Sequence, residues 1–142
     1  MRIIRSVSFA ITLMLLASVA GAQSQGKLKI VFHVDSADPS GLEMAFHNAH
    51  SVEMNAGRGN VKMVVVANGP AINLFLKKNS EKFGKDIEEL VSTGGVEFHV
   101  CNTSLKAFGY KPSDVIDVCK VVPAGIIDIA HLELEGYAYI KP

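Results

Sequence analysis

Apolar residues in this chain form short, nearly continuous runs that alternate with segments of helical periodicity. Four runs rich in β-branched residues indicate strands buried on both faces, at 27–35, 61–67, 96–101 and 118–122. Over 41–56, apolar residues recur at helical spacing, which predicts an amphipathic helix. We predict shorter helices at 71–77, 87–92, 104–108 and 112–116, a longer helix at 125–135, and a last strand at 137–140.

Strand and helix alternate along the chain, and this order favours parallel strands joined by helical crossovers. We therefore predict an α/β fold: a single domain with an open, mainly parallel sheet of about five strands and helices on both faces. Ligands of such sheets bind beyond the carboxyl ends of the strands. The residues expected at that carboxyl edge are Asp35, Ser36, Asn68, Gly69, Cys101, Asn102 and Pro123.

The segment 1–22 has the pattern of an export signal. Arg2 and Arg5 supply a positive end, an uncharged apolar run covers 7–19, and small residues precede a cleavage point after Ala22. The run is shorter than the roughly 18 residues that a membrane span needs, which disfavours the alternative of an uncleaved anchor. We predict a cleaved signal peptide, a mature domain over 23–142 without a stable membrane anchor, and a periplasmic location.

Charge and motif content exclude several classes of function. Lys and Arg together number 14, as do Asp and Glu, and no basic stripe is present, so we expect no nucleic-acid partner. The G-x-S-x-G, Walker and G-x-G-x-x-G patterns are absent, which disfavours serine hydrolases, nucleotidases and dinucleotide enzymes. C-x-x-C is absent as well, so a thioredoxin-type dithiol is disfavoured, and we predict no cofactor.

The strongest chemical signal is Cys101, one of 2 cysteines, which ends the third predicted strand and directly precedes a helix start. The free N–H groups of Asn102, Thr103 and Ser104, together with the positive end of the helix dipole, favour a thiolate there. We predict a reactive thiol; the alternative is an inert, buried cysteine. A disulfide to Cys119 is not expected, because parallel neighbouring strands would hold the two thiols at opposite ends.

The histidines offer weaker signals. His33 and His99 lie inside predicted strands, His99 two residues before Cys101 on the same face, and we expect both to be hydrogen-bonded core residues. His47 and His50 share a helix face, but no third ligand is evident, so we predict no metal site.

Three segments, VVVANGPAI, GVEFHVCNTSL and VVPAGIIDIAHLELEGYAYIKP, together resemble the DsrE/DsrF-like family of small α/β proteins. The similarity spans 27–142. It implies a compact parallel-sheet fold, assembly as a homotrimer or hexamer, and, in the sulfur-relay members, a cysteine that carries sulfur as a persulfide. Cys101 matches that cysteine. The well-understood relay members are cytosolic, so the export signal departs from the family pattern, excludes a tRNA-thiolation pathway and makes cytosolic relay partners unexpected.

The residues and the resemblance together predict a periplasmic sulfur carrier with sulfurtransferase-like chemistry. The Cys101 thiolate would attack a sulfane-sulfur donor, hold the sulfur as a persulfide and pass it to a thiol-bearing protein partner. The helix start at Asn102, Thr103 and Ser104 would stabilise the anion.

Two other interpretations remain open from the sequence. The first is a non-catalytic, homo-oligomeric module that binds a small ligand at the carboxyl edge, with Asp35, Asn68 and Gly69 as ligand-binding residues. Against that role, Asp35 and Asp38 are also suited to capping the loop and helix that follow the first strand. The second is a redox-sensing thiol at Cys101, whose oxidation would change assembly or binding.

Overall fold

The computed structural model describes residues 26–93 and 95–142, so the predicted export signal lies outside the described residues. Its sheet has five strands: β1 Leu28–Val34, β2 Val61–Ala67, β3 Val96–Cys101, β4 Lys120–Val122 and β5 Ala138–Ile140. The spatial order is β4-β3-β2-β1-β5, and every neighbouring pair is parallel. The predicted single-domain α/β fold with an open parallel sheet is confirmed.

Four α-helices accompany the sheet in the described part of the chain: α1 Ser40–Ala56, α2 Ser80–Ser92, α3 Asn102–Ala107 and α4 Gly125–Leu134. Short 3-10 turns occupy Arg58–Asn60, Gly69–Phe75, Lys77–Asn79 and Pro112–Asp114. Within this part of the chain, no helix has the length and apolarity that crossing a bilayer requires.

Several predicted elements differ in extent or type from the observed ones, among them the helix predicted at 112–116, which is a 3-10 turn at Pro112–Asp114. Helix α2 begins seven residues before the predicted start at 87, because Phe83 and Gly84 extend its buried stripe toward the amino end. The helix predicted at 71–77 is instead a 3-10 turn that follows the left-handed Gly69, whose φ is 53°. Strand β4 is shorter than predicted, because the Cys119 N–H donates to the Ile116 carbonyl in a turn and not to the sheet.

The direction of the crossovers decides which face each helix covers. The chain moves from β1 through β2 and β3 to β4 in one direction and then returns past β1 to β5. Because parallel crossovers are right-handed, the return connection places its helix on the opposite face from the others. Helices α1 and α2 accordingly pack on the larger core, and α4 packs on a smaller one formed with Val31, Val64 and Val66.

Strand alternation assigns β3 side chains to these two faces. Phe98 and Val100 belong to the larger core with α1 and α2. Their neighbours Glu97, His99 and Cys101 therefore point toward the α4 side. The thiol singled out in the sequence thus lies at the carboxyl edge, on the face that carries α4.

Candidate functional site

Cys101 connects strand β3 to helix α3, as the last residue of the strand and the N-cap of the helix. Its Sγ accepts a hydrogen bond from the Ser104 N–H at 3.4 Å. The residue is only 4% exposed. Helix α3 begins at Asn102, two residues before the predicted start, so the helix start lies directly at the thiol.

A second helix start, that of α4, also reaches the thiol. A Cβ placed on Gly125 would lie 3.2 Å from the Cβ atoms of both Cys101 and Asn68, and 3.4 Å from Cγ1 of Val66. Because Gly125 has no side chain, the α4 backbone can approach this closely, and the Gly125 N–H contributes to lowering the pKa of Cys101. Sequence reasoning missed Gly125, because nothing local to residue 125 shows that α4 begins above β3.

Hydrogen bonds and burial shift the pKa of the Cys101 thiol in opposite directions. Burial by itself raises its pKa, but bonds from the Ser104 hydroxyl and from the N–H groups of Gly125, Ser104 and Thr103 outweigh burial, so the pKa is lowered. The Ser104 hydroxyl is held in place, because its Oγ accepts the Gly69 N–H at 2.8 Å. Its own hydrogen is then free to point toward the sulfur.

The other predicted members of the helix start contribute differently. The Thr103 N–H also donates to the Pro123 carbonyl at 3.2 Å, and the Thr103 hydroxyl donates to that carbonyl at 3.0 Å. Thr103 therefore mainly ties α3 to the loop before α4, and its N–H is shared. The Asn102 N–H is not among the groups that bond to the sulfur. Its side-chain Oδ1 is buried and has no hydrogen-bond partner among the described residues.

Cys119, in the turn before β4, is a contrasting thiol. Burial raises the pKa of Cys119 to about 12, so its thiolate is strongly disfavoured. Both cysteines are free. Cys101 is in register with Val122, and Cys119 lies in the turn just before β4, three residues from Val122 toward the amino ends of the strands. The two residues are about 10 Å apart along the sheet, which exceeds the reach of a disulfide.

Asn68 and His33 lie next to the thiol site but are bonded to each other. His33 Nε2 is 3.0 Å from Asn68 Oδ1, and His33 Nδ1 is 2.7 Å from the Tyr139 hydroxyl. With the Asn68 amide oriented in this way, Nε2 carries the hydrogen and Tyr139 donates to Nδ1. A neutral imidazole satisfies both contacts, so His33 is the hydrogen-bonded core residue that the sequence predicted.

Asp35 lies two strands from Cys101, beside a separate cleft. Its carboxylate pairs with Lys141, and the hydrogen bond from Lys141 is the main reason that the pKa of Asp35 is lowered. The cleft has a volume of about 410 Å³, and its lining includes His33, Asp35, Ser36 and Lys141. The predicted carboxyl-edge cluster is therefore divided: Gly69 joins the thiol through Ser104, whereas Asp35 does not contact it.

His99 shares the face of Cys101 but is bonded to carboxylates. Its Nδ1 lies 2.6 Å from Asp128 Oδ2, and its Nε2 lies 3.3 Å from Glu97 Oε2. Like His33, it is hydrogen-bonded as predicted, and it forms no direct pair with the thiol. Across residues 26–93 and 95–142, no three His, Cys, Asp or Glu side chains are grouped closely enough to hold a metal ion.

Comparison with known proteins identifies a matching family and a similar solved structure. The model of the DsrE/DsrF-like family matches residues 29–142. Among solved structures, the chain is similar to a protein of unknown function, MTH1491, from Methanobacterium thermoautotrophicum. The two are 29% identical with a TM-score of 0.73, and the match covers 82% of this chain and 100% of that chain. No curated protein matches this chain.

Proposed function

Because this chain belongs to the DsrE/DsrF-like family, as its motifs predicted, we propose that it is a sulfur carrier that holds sulfur on Cys101 as a persulfide. Family membership suggests a role related to sulfur relay. The observation that carries the finer proposal is the convergence of two helix starts on one thiol. The Ser104 N–H bonds to the sulfur, the Gly125 backbone packs on Cys101, and the pKa of Cys101 is lowered despite its burial.

The proposed reaction needs no net oxidation. The Cys101 thiolate attacks the outer sulfur of a donor R–S–SH, the donor S–S bond breaks, and R–S⁻ leaves with the electron pair. A new S–S bond joins Cys101 to the transferred sulfur, which keeps its proton. An acceptor thiolate then attacks that outer sulfur, and the Cys101 thiolate leaves. A lowered thiol pKa favours the second step, because a less basic thiolate is a better leaving group.

The proposed location is the periplasm, and the proposed assembly is a homotrimer or hexamer. The location rests on the signal pattern at 1–22. The assembly is supported by large apolar side chains on α4 and β5 that remain exposed in one chain: Ile126, Ile127, Leu134, Tyr139 and Ile140. Contiguous exposed apolar surface is typical of a protein interface. Sedimentation of the mature protein tests this assembly, and a pure monomer would contradict it.

Mass spectrometry tests the carrier chemistry. The reduced Cys119→Ser protein is exposed to polysulfide, and we expect one or more added sulfur atoms on the peptide that contains Cys101. A thiol reductant should remove them, because a persulfide is reducible. Cys101→Ser is the matched control and should remain unmodified. An unmodified Cys101 under conditions that label a small-molecule thiol would reject the proposal.

One observation favours the alternative of a non-catalytic ligand-binding module. The cleft beside Asp35 and Lys141 lies at the carboxyl edge, where α/β proteins commonly bind ligands, yet it does not include the thiol. An unreactive Cys101, together with a small ligand whose binding is lost in Lys141→Ala, would support this alternative over the sulfur carrier. A reactive Cys101 that accepts sulfur would leave the carrier as the better description.

A further inference from the structure

His99 and Asp128 form a largely buried pair beneath the first turn of α4. The distance from His99 Nδ1 to Asp128 Oδ2 is 2.6 Å, and the two side chains are 4% and 20% exposed. A hydrogen bond of this length is typical of a charge-assisted contact. The Asp128 N–H donates to the Ala124 carbonyl at 3.0 Å, so Asp128 belongs to the same helical turn as Gly125.

The pair connects the two elements that meet at the thiol. His99 precedes Cys101 by two residues on β3, and Asp128 follows Gly125 by three residues on α4. One side-chain contact therefore joins the strand that carries the sulfur to the helical turn that contains Gly125. Displacement of that turn would move the positive end of α4 away from the sulfur, and the effect of a helix dipole falls off within its first turn.

The apolar contacts of α4 do not explain how its first turn stays over β3. The core beneath α4 joins Ile129 and Leu132 to Val31, Val64 and Val66, which lie on β1 and β2. These contacts hold the later turns of the helix over the centre of the sheet. From the amino-terminal turn, the Gly125 backbone packs on Cys101, and the Asp128 side chain adds a polar bond to His99 that ties the turn to β3.

We propose that the His99–Asp128 pair is a positioning device that keeps the start of α4, at Gly125, against Cys101. Its relevance to sulfur transfer rests on the proposed function, whereas its effect on the thiol does not. Other charged groups also face His99. Glu97 lies 3.3 Å from Nε2 and is exposed, and Lys120 is the β4 residue in register with His99. Among the described residues, Asp128 pairs with His99 and not with Glu97 or Lys120, so neither of these two holds the first turn of α4.

The pH dependence of Cys101 alkylation by iodoacetamide tests the proposal, with Cys119→Ser as background. His99→Gln removes the donor at the Nδ1 position, whereas His99→Asn retains an amide N–H there. We expect His99→Gln and Asp128→Ala to move the midpoint of the profile to higher pH and to slow alkylation at pH 7 by about 3- to 10-fold. The alkylation rate of His99→Asn should stay within about twofold of the parent rate. The control variant His131→Gln, at an exposed residue, should react at the parent rate.

Asp128→Ala separates positioning from direct electrostatics. Loss of a negative charge near a thiolate would by itself move the midpoint to lower pH. A shift to higher pH therefore requires that the start of α4 has moved away from the sulfur. A lower or unchanged midpoint in a variant with a native circular dichroism spectrum would overturn the proposal, and so would equal profiles for His99→Gln and His99→Asn.

A measurement on the parent protein keeps the test independent of variant folding. The His99 Nδ1 proton should be observable by NMR and should exchange slowly with water, because it is buried in the bond to Asp128. Rapid exchange would overturn the proposal whatever the variants show.

Persulfide formation on Cys101 is measured separately from alkylation. Shifted alkylation profiles without persulfide formation would reject the proposed function alone, and persulfide formation with unshifted profiles would reject the positioning role alone.

Discussion

The backbone of Gly125 lies so close to Cys101 that a Cβ on the glycine would be 3.2 Å from the Cβ of the cysteine. This approach places the start of α4 at the end of β3, where the start of α3 already meets the sulfur. Two helix starts at one buried thiol favour its anionic form. Gly125 therefore has a chemical consequence, the lowered pKa of Cys101, as well as a packing role.

Gly125→Ala should weaken both the site and the fold. The added methyl group meets Cβ atoms of Cys101 and Asn68 at 3.2 Å, and those atoms cannot move without the backbone. We expect α4 to shift, the pKa of Cys101 to rise and alkylation at pH 7 to slow severalfold. Overpacking of this kind typically costs about 1–3 kcal/mol of unfolding free energy.

The matched control for Gly125→Ala is Gly59→Ala, because a Cβ at Gly59 would meet no atom within 4 Å. Urea denaturation and alkylation kinetics measure the two effects. If Gly125→Ala behaves like Gly59→Ala in both, the close approach of α4 to Cys101 is not required for either property.

Ser104→Ala should also raise the pKa of Cys101, by removal of the hydroxyl that bonds to the sulfur. The same change leaves the Gly69 N–H without its partner, which now lies 2.8 Å away. Loss of a buried partner costs about 1–3 kcal/mol. We expect a lower denaturation midpoint and slower alkylation at pH 7. Ser92→Ala, at an exposed residue, provides the control. An unchanged alkylation rate in Ser104→Ala would show that the backbone N–H groups lower the pKa of Cys101 without the hydroxyl.

Local sequence could predict Cys101 and its helix start, because strand end, cysteine and helix start lie within a few consecutive residues. The alternation of apolar runs and helices could likewise predict the parallel fold. The remaining site residues depend on tertiary placement. His99 and Asp128 are 29 residues apart and meet only because the chain returns across the sheet to β5. Gly125 lies in one of the segments that resemble the family. Its contact with Cys101 could be predicted only with knowledge of the strand order.

The two thiols should differ in the pH at which they react. The pKa of Cys101 is lowered from 9.0, whereas burial raises the pKa of Cys119 to about 12. Alkylation of the native protein near pH 8 should therefore label Cys101 first and leave Cys119 largely unmodified. Peptide mapping after timed alkylation measures the order. Equal labelling of both cysteines in the folded protein would contradict the assigned environments.

The opposite pKa shifts of the two thiols predict opposite pH dependences of the free energy of unfolding. Cys119 has a raised folded-state pKa, so its stabilising effect is full below pH 9 and is lost as pH rises toward 12. Cys101 has a lowered folded-state pKa, so its stabilising effect is present above pH 9 and is lost as pH falls through that lower value. Cys119→Ser should therefore reduce the loss of stability between pH 9 and pH 11, as measured by urea denaturation. An unchanged alkaline loss of stability would contradict the raised pKa of Cys119.

Tyr139→Phe should separate the stability of β5 from the reactivity of the thiol. The change removes the hydroxyl that lies 2.7 Å from His33 Nδ1 and leaves a buried ring nitrogen without its donor. We expect a loss of about 1 kcal/mol of unfolding free energy, the usual size for one hydrogen bond. Alkylation of Cys101 should not change, because the bonds to its sulfur come from α3 and α4. Slower alkylation in a stable Tyr139→Phe protein would mean that the contacts of His33 with Asn68 and Tyr139 also support the thiol.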